Sequence, residues 1–445
     1  MPRTAAVAAI AVAVGVVLAD SSVVILALPE ILLRYDVTVA TVAWVLTAYN
    51  LVLGLAAVPA AHAARRHPRA VFTAGIAVFA AASLGCALAP SLGALLAARC
   101  VQALGGALTV TAALELLPGL LGSEAAAARR WAAAGALGTA VGPAVGGLLT
   151  QLISWEAIFV AQVPVVAAAA AVAATRPVRT AAPAGRPHLA ANAALVLVSA
   201  ALTAALFLVV LLMINGWGLD PVQAAVGVSV MPVAALVSGR WLGGRGGPAA
   251  RAAAGALGVA AGLAALGLMP GASVAWTLAP QVLVGLGLGL TVGALTEAAL
   301  AGRSPQGVHG GWTLASRHLG VVLGILLLTP VFVADLDRQQ ARAEDAVTAI
   351  LLDSRVAPST KIELAQAGER VLAGTEGRVP DLSPIFREVT PAPGDRAEFE
   401  NLRRALGDQL DRAATSSVAR SFLAAAAFAL LALVPVAVSR GRVRL

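Results

Sequence analysis

The sequence predicts an all-α membrane protein: twelve transmembrane helices in two six-helix halves, with an extracytoplasmic helical loop between helices 11 and 12. Three observations predict it. Of the 445 residues, 59% are hydrophobic and only 12% charged, with mean hydropathy +0.86, whereas a soluble domain carries about 25% charge. Apolar runs recur along the whole chain, each long enough to cross about 30 Å of hydrocarbon at about 1.5 Å per residue. Arginines are sorted to alternate loops, as the positive-inside rule requires of a polytopic protein.

The runs cover 6–29, 39–61, 70–90, 92–117, 130–151, 156–174, 190–214, 222–242, 250–270, 274–300, 308–333 and 418–438. With the N-terminus inside, the cytoplasmic segments hold Arg3; Arg65, Arg66 and Arg69; Arg129 and Arg130; Arg176, Arg179 and Arg186; Arg240, Arg245 and Arg251; Arg303; and Arg440, Arg442 and Arg444. The short outer loops hold only Arg34. Both termini are therefore expected in the cytoplasm of a cell with an inner membrane. Trp44, Trp155, Trp217 and Trp276 fall near outer span ends and Trp131, Trp241 and Trp312 near inner ends, a pattern of two aromatic belts.

The expected organisation is an N-terminal six-helix half over 1–175, a cytoplasmic linker over 176–189, helices 7–11 over 190–334, an extracytoplasmic loop over 335–417, and helix 12 with its tail over 418–445. The linker is basic and rich in proline. The loops AAHAARRHPRAVF and SGRWLGGRGGPAAR are basic hinges at equivalent places in the two halves. Two similar halves about an axis along the membrane normal are a secondary-transporter plan, with a substrate site at their interface. The 335–417 segment carries about half of the charges. Its stretches DLDRQQARAEDAVTAILLD, STKIELAQAGERVLAG and RAEFENLRRALGDQLDRA read as amphipathic helices, broken at PDLSP and TPAPGD. It is either a partly ordered surface loop, or a helical cap or docking site for an envelope partner.

Several classes are disfavoured. The apolar start continues past Asp20 without a cleavage site, so it is not read as a removable signal. Cys86 and Cys100 lie in apolar runs and read as small buried hydrophobes. Basic residues outnumber acidic ones, 31 to 23, but are spread over short loops, which argues against nucleic acid. No metal-ligand spacing, nucleophile elbow or phosphate loop is present, and no cofactor or enzyme activity is expected. GLGLG at 285–289 lies inside an apolar span and reads as helix packing.

Ionisable groups inside spans are costly and usually functional. Asp20 in the first span and Arg99 in the fourth lie at matching depths. Such a pair is either a static tie between two helices or a carboxylate whose proton is exchanged when water or cargo enters. Glu115 and Glu297 lie near inner ends, where snorkelling to the headgroups is expected. Arg317, beside His318, sits near mid-membrane in the eleventh span. It either packs against backbone carbonyls or faces a cavity and binds an anionic or carbonyl-rich group. His62, His67, His188 and His309 are expected at solvated inner loops.

The fifth span, AAAGALGTAVGPAVGGLLT, places Gly138, Gly142 and Gly146 on one helical face, with Pro143 and Gly147 among them. Small residues at that spacing allow close helix approach, and a membrane helix tolerates the bend at proline. The stretch resembles the antiporter motif, Gly-x-x-x-Gly-Pro-x-x-Gly-Gly, in the fifth helix of the major facilitator superfamily. AARCVQALGGALTV is similar to that superfamily's fourth-helix motif through Arg99, Gln102 and Gly105. LADSSVVILALPEI resembles the first-helix pattern of its drug:proton antiporter branch, with Asp20, Val23, Ala27, Leu28 and Pro29 matching and Ser22 for a threonine. SWEAIFVAQVP keeps Trp155, Phe159 and Pro164 of Trp-Arg-Trp-x-Phe-x-x-Asn-x-Pro, and SRHLGVVLG places Arg317 and Gly320 of a later motif. Two departures stand out. That branch usually has fourteen spans, against twelve here. In the loop after the second span, Ala60 and Ala64 replace a glycine and the aspartate that helps latch the cytoplasmic gate, leaving basic residues such as Arg65 and Arg69.

The resemblance implies proton-coupled efflux of a hydrophobic small molecule by alternating access, by a monomer in the lipid bilayer. In that reading Asp20 carries the proton and Arg99 tunes it. Gln102 and Arg317 line the substrate cavity, Gly138 to Gly147 form a pliable contact, and Arg65 and Arg69 belong to the cytoplasmic gate loop. Two other readings stay open: export of a lipid or lipid-linked metabolite with an envelope partner at 335–417, and a non-transporting scaffold or receptor on a transporter fold.

Overall fold

A computed structural model describes residues 3–170, 185–372, 389 and 395–441. Every regular element among them is helical. In the first half, α1 covers Arg3–Ile25, α2 Trp44–Arg66, α3 Pro68–Ala87, α4 Leu92–Leu121, α5 Glu124–Leu152 and α6 Ala157–Ala170. In the second, α7 covers Leu189–Leu211, α8 Pro221–Trp241, α9 Pro248–Gly267, α10 Val274–Leu300 and α11 Gln306–Asp353. After them come α12 Pro358–Leu372, α13 Arg396–Ser417, α14 Ala419–Leu431 and α15 Leu433–Gly441.

Among the described residues eleven helices are long and apolar enough to cross a membrane. The sixth apolar helix, α6, is described over 14 residues, and the end of its run and most of the 176–189 linker lie outside the described residues. Twelve spans therefore fit the structure. Local chemistry sets the ends. Ser91, Ser123 and Ser273 cap α4, α5 and α10 by accepting from Ala94, Ala126 and Ala275. Asp220 and Gln223 form a reciprocal capping box on α8. Gly122 ends α4 at φ +71°, a left-handed turn that costs glycine least. The first run does not continue unbroken to residue 29: it turns at Leu26–Ala27 and restarts as a short helix, Leu28–Arg34, with Pro29 in its first turn, where a missing N–H costs nothing.

Packing repeats in the two halves. α3 lies along α4, and α9 along α10. A methyl on Gly75 would strike Thr109, and one on Gly255 would strike Thr291. Each threonine hydroxyl donates one turn back, to Gly105 and Gly287. The same glycine-threonine contact thus recurs about 180 residues later, an internal repeat in structure. The halves meet where α2 runs along α11 and α5 along α8, as an axis along the membrane normal requires.

Helix α11 differs most from expectation. It is 48 residues long, about 70 Å, and runs through residue 334 without a break. The shift from apolar to polar composition marks the membrane surface and not a helix end. Nothing between Pro330 and Ser354 breaks it, and the segment is rich in good helix formers. Its extension joins α12 and α13 in a small separate core, in which Val356, Leu364, Val389, Phe399, Leu402 and Leu406 are buried. The described residues of the 335–417 segment are thus mainly helical, and we call them the cap; PDLSP and nearly all of TPAPGD lie outside the described residues. We call the side bearing it the cap face and the opposite side the basic face.

The tryptophans correct the expected belts. Trp44, Trp241, Trp276 and Trp312 are exposed, but Trp131 and Trp155 are buried. The Trp131 ring N–H donates to the Val110 carbonyl, and Trp155 meets Tyr35 and Phe159 edge to face. His309 is buried as well, not solvated.

Candidate functional site

Helix α1 carries Asp20 and α4 carries Arg99, and both side chains are 0% exposed. One Arg99 Nη donates to Asp20 Oδ2. The same nitrogen donates to Gln102 Oε1 at 2.6 Å, one turn on along α4. The guanidinium lies 4.1 Å from the centre of the Tyr49 ring and 5.6 Å from that of Phe159, two faces that favour a desolvated cation. Tyr49 is fixed in turn by donating to the Val17 carbonyl at 3.1 Å. A buried ion pair is tolerable only with good geometry and its remaining polar atoms bonded, and most of these atoms are.

The other carboxylate oxygen shows what the sequence reading left out. Asp20 Oδ1 accepts from Gln162 Nε2 of α6 at 2.8 Å and from Gln102 Nε2 at 3.3 Å. The two glutamines also meet, Gln102 Nε2 to Gln162 Oε1 at 3.0 Å, and Gln102 Nε2 reaches Ser83 Oγ at 2.8 Å. Two helices, α4 and α6, thus bond one carboxylate of α1, and α3 joins the cluster through Ser83. Gln162 occupies the asparagine place of the sixth-helix pattern. The visible signal was an amide in an otherwise apolar run.

A second polar chain leads away from the pair. Ser21, the next residue, donates to Asn50 Oδ1 of α2 at 3.3 Å. Asn50 Oδ1 also lies 2.7 Å from His318 Nδ1 of α11, in the other half. The oxygen is an acceptor, so Nδ1 carries the hydrogen in this contact. The surroundings of Asp20 are therefore tied across the interface between the halves.

Beside the pair, α1, α5 and α6 enclose an apolar groove of about 490 Å³. Val12, Leu137, Val141 and Val145 are among its walls, Arg130 stands at its basic-face end, and Gln162 borders it. Gln162 therefore touches both the groove and Asp20. Gln102 and Arg317 do not border it. Gln102 is buried in the polar cluster, and Arg317 makes no hydrogen bond or ion pair among the described residues.

The glycines of α5 divide by partner. Methyl groups on Gly138, Gly142 and Gly146 would run into the Gly15 carbonyl, the Ser22 hydroxyl and the Val23 carbonyl, all on α1. One on Gly147 would strike Ala225 and Pro221 of α8. Pro143 is buried within α5. Three glycines therefore bind α5 to its own half, and one sets its distance from the other half. Near Gly147, Gln151 Oε1 accepts from the Val222 N–H at 2.8 Å.

On the basic face, Arg65 and Arg69 are half-buried at the end of α2 and the start of α3. Glu115 is not directed to the headgroups. Its carboxylate abuts Gly307 in the first turn of α11, and its Oε1 has no hydrogen-bond partner. Glu297 pairs with Arg251 at 2.6 Å. Among the described residues no cluster of His, Cys, Asp and Glu could hold a metal ion.

Comparisons with known proteins bear on the family and the fold. The family model described as Major Facilitator Superfamily matches residues 10–325. The chain is 35% identical over 239 residues to the methylenomycin A resistance protein of Streptomyces coelicolor, covering 51% of this chain and 48% of that protein. It is 37% identical over 164 residues to the tetracenomycin C resistance and export protein of Streptomyces glaucescens, covering 35% of this chain and 30% of that one. The chain spans between about a quarter and a half of the length of such curated relatives, 26% to 48%. A bacterial homologue of the human lysosomal transporter Spinster, inward-facing and unoccupied, aligns over 98% of both chains with TM-score 0.66 and 16% identity. A D-xylose-proton symporter aligns with TM-score 0.58 and 13% identity, over 71% of this chain and 87% of that one.

Proposed function

We propose that this chain, which belongs to the Major Facilitator Superfamily, exports hydrophobic small molecules of the drug class in exchange for protons. One observation carries the reading: a carboxylate wholly withdrawn from solvent is paired with Arg99 and held by two glutamines. An aspartate at such depth is expensive to keep charged and is retained chiefly where its charge is used. The apolar groove that Gln162 borders suits hydrophobic cargo, and the names of the relatives point the same way.

The basic face is then cytoplasmic, the protein sits in the inner membrane, and the halves rock about the α2–α11 and α5–α8 contacts. Exchange requires that cargo and proton exclude one another: cargo seated in the groove would hold Gln162 against the charged carboxylate and so expel the proton. Departure of the cargo would free Gln162 and let a proton return. The test is efflux from proteoliposomes under an imposed pH gradient. Asp20→Asn should abolish gradient-driven efflux while retaining cargo binding; undiminished gradient-driven efflux would refute the role of Asp20.

The cap favours a second reading, export of a lipid or lipid-linked metabolite handed to an envelope partner, because it has a core of its own. Removing α12 and α13 discriminates. A drug exporter keeps most of its transport; a handover machine loses it while still inserting.

A further inference from the structure

At the cap face, α9, α11, α13 and α14 enclose a cavity of about 230 Å³, lined by Asp335, Gln339, Thr415, Ser416 and Arg420 among others. None of its lining residues belongs to the Asp20 cluster, and the proposed transport does not use it. Asp335 is 5% exposed. Its Oδ1 accepts from Arg338 at 3.0 Å and from Arg420 at 3.1 Å. Its Oδ2 is buried and has no hydrogen-bond partner.

Two features of this arrangement are chemically incomplete. A buried carboxylate oxygen without a donor is unfavourable, so the site calls for an N–H or O–H donor. Two guanidiniums face one carboxylate, leaving an excess positive charge that calls for an anion. A ligand carrying an ammonium beside a phosphate meets both demands. The position decides the source. The cavity opens where α9 ends at Gly267 and α14 begins at Ala419, at the membrane surface. Leu268 and Leu423 beside it are exposed apolar residues, and Leu423 packs against Gly267.

We propose that this cavity binds the headgroup of an aminophospholipid from the cap-side leaflet: the ammonium donates to Asp335 Oδ2, the phosphate lies against Arg420 and Arg338, and the acyl chains run down past Leu423. A choline headgroup carries the same charges but no N–H donor, so the site discriminates against it.

The test uses the purified full chain in vesicles of phosphatidylglycerol mixed with either phosphatidylethanolamine or phosphatidylcholine, followed by native mass spectrometry of retained lipid. Phosphatidylethanolamine should be retained over phosphatidylcholine by about tenfold, the value of one charge-assisted hydrogen bond. Asp335→Asn should erase that preference. Gln339→Trp, which fills the cavity and leaves both arginine pairs intact, should erase it too, so the outcome does not depend on Asp335→Asn folding. Equal retention of the two lipids by the unaltered chain would overturn the proposal, as would a preference that survives both substitutions. Displacement of the lipid by equimolar soluble phosphoethanolamine would also overturn it, by showing that the headgroup alone suffices.

Discussion

Gln162 of α6 donates to Oδ1 of Asp20 on α1 at 2.8 Å, on the side of the carboxylate away from Arg99. The same glutamine borders the apolar groove. Gln162 therefore couples the groove to the carboxylate. A hydrogen bond to a charged group contributes about 1.5–3 kcal/mol. Gln162→Leu should lower the melting temperature in detergent and reduce gradient-driven efflux several-fold. Gln162→Glu, which sets a second carboxylate against Asp20, should reduce efflux further. Unchanged transport by Gln162→Leu would remove this residue from the mechanism.

The glycines of α5 should separate stability from movement. Forcing atoms into a tight contact costs about 1–3 kcal/mol. Gly138→Ala pushes α5 from α1 within one half and should show chiefly as a lower melting temperature. Gly147→Ala pushes α5 from α8 across the interface and should slow transport more than it lowers the melting temperature. Equal ratios of transport loss to stability loss for the two variants would contradict this division.

Glu115 stands at the first turn of α11, where unpaired N–H groups and the helix dipole favour an anion. We expect it to hold the basic face closed in place of the aspartate missing at Ala64. A carboxylate so placed contributes about 0.3–1 kcal/mol, rising to about 2 in partly buried geometry. Glu115→Gln should therefore raise the open-to-closed ratio of the basic face roughly twofold to thirtyfold. Spin-label distances between the ends of α4 and α11 measure it, and an unchanged distribution would exclude the latch.

At the cap face, Glu30 has a proton affinity raised above the usual carboxylate range, by burial first and by the neighbouring Glu156 carboxylate second. The folded protein holds this proton more tightly than the unfolded chain. Its contribution is therefore complete below the unfolded value and is lost as pH rises through the folded one. Glu30→Gln should raise the melting temperature by about a degree near neutral pH and leave it unchanged under acid conditions. A shift of equal size at both would point to a cause other than titration.

Much of the fold was legible in the sequence because burial in a bilayer writes itself into composition. The apolar runs and the glycine register of α5 follow from membrane thickness and helix period. The depths of Asp20 and Arg99 were readable in the same way, since rise per residue converts position into height. Direction around the helix axis was not readable. Gln162 shares its run with apolar neighbours, and nothing local says that it points inward. Trp131 and Trp155 sit near span ends, as belt residues do, yet turn toward the core. The extent of α11 was hidden because helical hydrogen bonding is indifferent to hydropathy. The run ended at the membrane surface, while the helix ended at Ser354.

The most direct test counts protons. Cargo added to purified protein in weakly buffered detergent solution should release about one proton per chain, and Asp20→Asn should abolish the release while still binding cargo. Cargo binding with no proton released, or the same release from Asp20→Asn, would contradict the role of the buried aspartate.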